Sequence, residues 1–165
     1  MAELAPTASG IIAEHHEIVS GYESIYGILI DLGFVQNTDV QVPPHGTPKD
    51  PIAVAPLRAA GLDPGTIELI GRLPCFSNKI IEIQRDLPND RDGIPIAPFS
   101  SATSYLLGSG RHDEAREVGI GPVGGEELLP PSAFKMTSTS DPDGYCLAYD
   151  LNDSECEFQF AYEEL

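Results

Sequence analysis

The stretch YCLAYDLNDSECEFQF, residues 145–160, reads as two strands around a polar turn. Apolar side chains alternate through Tyr145, Leu147, Tyr149 and Leu151, then through Cys156, Phe158 and Phe160. That is the period of a strand with one face turned inward. Asn152-Asp153 is turn chemistry, and a two-residue turn there sets the register. Leu151 then faces Ser154, Tyr149 faces Cys156, Leu147 faces Phe158 and Tyr145 faces Phe160. A slip of one residue would turn Glu155 and Glu157 into the core, so the register is strongly specified. The opposite face, Cys146, Ala148, Asp150, Glu155, Glu157 and Gln159, reads as wet and acidic.

Upstream, Phe134 to Thr139 is a third alternating strand, with Asp141-Pro142-Asp143-Gly144 as the turn before Tyr145. Residues 100–131 read as a short helix around Ser104 to Leu107 followed by a Gly-rich loop. IPIAPF (94–99) is extended, and its two prolines confine it to a sheet edge. Lys79 to Arg85 is strand-like, and Asp86 to Gly93 is a polar turn.

The N-terminal third is helical. Residues 11–32 place Ile11, Ile18, Ile25 and Leu32 seven apart, with Ile12, Val19, Tyr22, Tyr26 and Leu29 beside them. This stripe is the expected core face, capped by Ser9 and ended at Gly33. Residues 37–56 form a Pro-rich connection. A second short helix opens with Asp63 as cap and Pro64 in its first turn, faces Ile67, Ile70 and Leu73 inward, and ends by Pro74. The expectation is one α+β domain over residues 11–165, with N-terminal helices, a following antiparallel sheet with C-terminal hairpins, long Pro/Gly-rich loops, and a flexible segment at 1–10. At 165 residues such a chain can bury a real core without staples.

Charge narrows the function classes. The chain carries 26 acids against 9 Lys and Arg, a net −17, and all nine cations lie between Lys49 and Lys135. A field of that sign repels phosphate backbones and anionic membranes and attracts basic partners. Nucleic acid is disfavoured as a partner, and a protein with a basic surface is favoured. No apolar run approaches the roughly 20 residues that span a bilayer, and the opening lacks a basic export signal, so an intracellular protein is expected. Three Cys (Cys75, Cys146, Cys156) fit reduced thiols.

No motif reaches the specificity of a metal or nucleotide signature, so no metal and no cofactor is expected. His15 and His16, flanked by Glu14 and Glu17, are adjacent on a helix and project about 100° apart, which denies them one ligand cone. His15 reads as a boundary residue and His16 as solvated. Asp86, Asn89, Asp90 and Asp92 lack the alternation and the distal glutamate of a calcium loop. His112, Asp113 and Glu114 mix charges on one loop and are the candidates for a small enzyme built on residues 86–116. The partner-binding candidates are Asp150, Asp153, Glu155 and Glu157, gathered at the tip and wet face of the C-terminal hairpin.

The segment GYCLAYDLNDSECEF, a glycine turn followed by strand, turn and strand with an acidic tip, resembles the closing hairpin of the SUKH superfamily. That superfamily includes fungal cell-wall-assembly regulators and bacterial toxin-immunity proteins. The LRAAGLD run and the helix ending at Leu73-Pro74-Cys75-Phe76 also look like uncharacterised filamentous-fungal proteins. The resemblance implies a non-enzymatic α+β module that binds protein partners, immunity-like or regulatory.

Overall fold

The computed structural model describes residues 13–43, 51–77, 95–97, 100–103, 105–107, 113–120, 126–138 and 145–160. In chain order the elements are helix α1 (His16–Asp31), a 3-10 turn (Asn37–Asp39), strand β1 (Val40–Gln41), and helices α2 (Val54–Ala59) and α3 (Pro64–Ile70). Strands β2 (Cys75–Phe76), β3 (Pro95–Ala97) and β4 (Ser100–Ala102) follow, then a second 3-10 turn (Asp113–Arg116). The last six are β5 (Glu117–Ile120), β6 (Glu126–Leu128), β7 (Ala133–Lys135), β8 (Thr137–Ser138), β9 (Tyr145–Asp150) and β10 (Glu155–Phe160). Helices lead and small antiparallel sheets follow, so the fold is α+β.

The C-terminal hairpin has the register its apolar alternation requires. Cys156 pairs with Tyr149, Phe158 with Leu147 and Phe160 with Tyr145. The turn is wider than expected. Pairing stops at Asp150 and Glu155, and Ser154 at the end of the four-residue loop has φ +52°. The Asp150 Oδ1 accepts the Asn152 N–H at 2.9 Å, an Asx turn that supports the wider loop.

The other face of β9 is not wet. Cys146 and Ala148 are both buried, and Ala148 packs with Leu129 and Ala133 in a small second cluster. β9 is the central strand of the sheet β10-β9-β7, which pairs both its edges, and this face is covered by the segment carrying Leu129, packed with Ala133 on Ala148.

β7 and β8 are one extended run broken at Met136, not the single strand expected over 134–139. β7 pairs with β9, while β8 pairs with β4 in the sheet β3-β4-β8. Met136 is the swivel between the two sheets. Its N–H donates to Leu147 O at 2.7 Å, and its carbonyl accepts both the Thr103 N–H at 3.1 Å and the Tyr22 hydroxyl at 3.2 Å. Side chains satisfy the backbone groups that the break frees. The Tyr105 hydroxyl donates to Lys135 O, and the Leu147 N–H donates to Thr137 Oγ1 at 2.9 Å. Each such bond contributes about 1 kcal/mol net, and orphaning a buried group would cost about 1–3.

α1 is rotated from the expected stripe. Tyr22 and Tyr26 are its buried residues, with Ile18, Val19, Leu29 and Ile30 packed on the same core, while Ile25 and Leu32 face out. The aromatic pair decides the rotation. Tyr26 meets Phe76 edge to face at 5.0 Å, and Tyr22 must reach the Met136 carbonyl. Two buried tyrosines outweigh an isoleucine row in buried area and in directional contacts. The helix ends as expected at Gly33, φ +74°. Phe34 N–H donates to Leu29 O and Gly33 N–H to Ile30 O, the paired bonds of a Schellman cap. Ile11, Ile12 and Ser9 lie outside the described residues.

α3 opens at Asp63 and Pro64 as expected and buries Ile67, Leu69 and Ile70. The Pro-rich connection expected over 37–56 holds the first 3-10 turn and β1 at its start, and α2 begins in its last three residues. Pro56 sits in the first turn of α2, where a missing N–H costs nothing. Two further expectations are corrected within 100–131. In place of the helix expected around Ser104 to Leu107, Leu106 bridges Ile52 a few residues after β4 ends, and Ser104 lies outside the described residues. Part of the Gly-rich loop is the antiparallel pair β5 and β6. β3 lies at the edge of its sheet, where its prolines belong. Lys79 to Arg85, Asp86 to Gly93 and the turn at Asp141 to Gly144 lie outside the described residues.

Candidate functional site

The four acids expected to bind a partner fall on the C-terminal hairpin. Asp150 ends β9, half-buried, with its carboxylate turned onto the Asn152 N–H. Asp153 is exposed in the loop. Glu155 and Glu157 occupy β10 at the positions opposite Asp150 and Ala148. By the alternation of the strands, Asp150, Glu155 and Glu157 fall at the turn end of the same face as the buried Cys146 and Ala148, with Asp153 exposed in the loop beyond. Among the described strands, β10 pairs only with β9, so this face borders an edge. Lys135 of β7 pairs with Ala148 and stands two strands from β10.

The enzymatic alternative is not assembled by what is described. His112, Asp90 and Arg91 lie outside the described residues. Asp113 and Glu114 open the 3-10 turn Asp113–Arg116. Ala115 and Arg116 of that turn are structural. Ala115 is fully buried, and the Arg116 guanidinium donates from Nε to Leu129 O at 2.6 Å and from Nη1 to Ala60 O at 3.3 Å. Arg116 thereby closes the C-terminal end of α2, where a cation meets the negative pole of the helix. Gly61, φ +86°, leaves room for it: a Cβ there would lie 2.6 Å from Arg116 Nη1.

Among the described residues a small, partly open pocket lies beneath α1, lined by Tyr22, Ile70, Cys75, Thr103, Tyr105 and Phe134 among others. It has room for about one water molecule. Its lining holds no carboxylate, imidazole or cation. Thr103 Oγ1 is its one buried hydroxyl without a hydrogen-bond partner. This is core space, too small for a substrate. Among the described residues no group of three or more His, Cys, Asp and Glu could hold a metal ion. No described helix is long and apolar enough to cross a membrane.

The histidine pair separates as its spacing demands. His15 is 4% exposed, with Nδ1 2.8 Å from the Tyr149 hydroxyl, and His16 is exposed. The thiols of Cys75 and Cys146 are buried. Burial pushes the Cys146 thiol up from 9.0 to about 11, with Lys135 pulling weakly the other way. Neither its protonation nor its access suits a nucleophile.

What the sequence reading missed is a surface. Ile25 is 40% exposed, Ile28 57%, Leu32 67% and Phe34 69%. The signal was present: Gly21, Ile25, Ile28 and Leu32, spaced four, three and four, form a second stripe beside the one that packs inward.

No protein-family model matches the chain, and no curated protein or solved structure matches it either.

Proposed function

We propose that the chain is a non-enzymatic protein-interaction module with an acidic surface, immunity-like or regulatory in kind, whose partner presents a basic patch. The supporting observation is the hairpin register. It sets Asp150 directly opposite Glu155, with Asp153 exposed in the loop between them and Glu157 two residues along. Like charges directly opposite cost a sheet roughly 0.2–1 kcal/mol. A basic partner offsets that cost on binding and gains from the chain's net −17 through faster encounter. The likeness of this hairpin to that of the SUKH superfamily points the same way.

The test is capture from lysate with the purified chain and with a Glu155→Gln/Glu157→Gln variant, at about 0.05 and 0.3 M salt. The reading expects a captured protein that weakens with salt and with the variant. Recovery of the same proteins in the same amounts by both baits would sink it.

A further inference from the structure

α1 presents two apolar faces, and among the described residues only one is packed. Tyr22 and Tyr26 face the core with Ile18, Val19, Leu29 and Ile30. Ile25, Ile28 and Leu32 stand exposed on the adjoining face, and the Schellman cap brings the exposed Phe34 just beyond them. Gly21 begins this row, and a Cβ built on it would meet nothing within 4 Å. From Gly21 to Leu32 the row runs about 16 Å along the helix, three turns. A second helix fits such a ridge, and a glycine at one end lets the two axes approach.

The borders of the row select the occupant. Glu17 stands four residues before Gly21 and Asp31 three after Ile28, both exposed neighbours of the row, and Glu14 extends its N-terminal end. Neither Lys nor Arg occurs on α1 or anywhere before Lys49. A second copy would bring another −17, and its own α1 would set these acids against another set with no cation on either helix to answer them. An anionic lipid surface is repelled for the same reason.

We infer that the outer face of α1, the row Ile25, Ile28, Leu32 and Phe34, is a docking surface for an amphipathic helix of a partner protein that carries Lys or Arg beside its apolar stripe. This deepens the reading of the chain as an interaction module but uses a different surface from the hairpin, so each can fail alone.

The test uses two fluorescein-labelled helical peptides of about 18 residues with the same leucine stripe, one flanked by Lys and one by Glu. Each is titrated with the full chain and followed by anisotropy, with sedimentation velocity reporting oligomeric state. An Ile28→Gln/Leu32→Gln variant leaves the charge unchanged, and far-UV circular dichroism checks its fold. The wild type should bind the Lys-flanked peptide at least about tenfold tighter than the Glu-flanked one, and the variant should lose about tenfold, because binding energy concentrates in a few apolar anchors. The hairpin variant Glu155→Gln/Glu157→Gln should stay within about twofold of wild type. Absence of binding, equal binding of the two peptides, or unchanged binding by Ile28→Gln/Leu32→Gln would overturn the proposal. So would a dimer that this variant dissociates, since the row would then be a self-interface. Loss confined to the hairpin variant would overturn it while leaving the acidic-hairpin reading standing.

Discussion

His15 Nδ1 lies 2.8 Å from the hydroxyl of Tyr149, and the two rings meet edge to face with centroids 5.7 Å apart. They are 134 residues apart in sequence, and both are buried. Tyr149 in turn meets Phe134 edge to face at 6.2 Å, and Phe134 meets Tyr105 at 6.1 Å. One chain of rings therefore ties the start of α1 to the hairpin and to the β7 strand. Tyr149→Phe keeps the ring contacts and removes the hydroxyl. It should cost about 1 kcal/mol in urea unfolding. In a double-mutant cycle with His15→Ala the coupling should lie at about 0.5–1.5 kcal/mol. Additive losses would show that the pair is a contact without energy.

Tyr22 and Tyr26, one helical turn apart, should respond differently to hydroxyl removal. The Tyr22 hydroxyl donates to Met136 O, so Tyr22→Phe should destabilise by about 1 kcal/mol. The Tyr26 hydroxyl is buried with no hydrogen-bond partner, so Tyr26→Phe should be neutral or stabilising. Equal losses in the two variants, read from urea midpoints, would count against this assignment.

Phe134 is fully buried at the meeting of Tyr105 and Tyr149. Phe134→Ala should cost about 3–5 kcal/mol. Ile25→Ala, on the outer face of α1, should cost under about 1 kcal/mol. Thermal melts of the two variants distinguish this rotation of the helix from the one in which the isoleucine row is core.

Stability should fall in alkali. The Cys146 thiol keeps its proton to about pH 11 in the fold, whereas its ordinary value is 9.0. Between those values the folded chain binds a proton that the unfolded chain has released, so rising pH favours unfolding, and the loss is complete above about pH 11. Burial also raises Tyr26 and Tyr105 well above 10.0, which adds the same sign at higher pH. Urea midpoints measured from about pH 8 to 11 should decline, and Cys146→Ala should decline less steeply between 9 and 11. Parallel curves would remove Cys146 from the account.

Local patterns were legible where one principle acted alone. The hairpin register followed from alternation, α3 from Asp63 and Pro64, and the end of α1 from Gly33. Errors arose where tertiary context chose between two workable local solutions. α1 carries two apolar stripes, and only the position of Met136 O and Phe76 selects the tyrosine side. The face of Cys146 and Ala148 reads as solvated until the segment carrying Leu129 packs over Ala148. The break at Met136 has no local signature, because it is made by bonds from Tyr22 and Thr103, both distant in sequence. The candidate hairpin acids could be placed from sequence, whereas the exposed row on α1 could not be separated from the buried one.

The Met136 swivel and the Tyr149 hydroxyl have a consequence for the order in which the molecule is made. During synthesis α1 leaves the ribosome first, yet its anchors, the Met136 carbonyl and Tyr149, are added more than a hundred residues later. Until then both stripes of α1 are bare, the one destined for the core and the one that stays outside. Contacts of such separation form late and slowly. For that interval the nascent helix is a sticky, acid-bordered cylinder, and its carboxylates are what keep neighbouring chains apart.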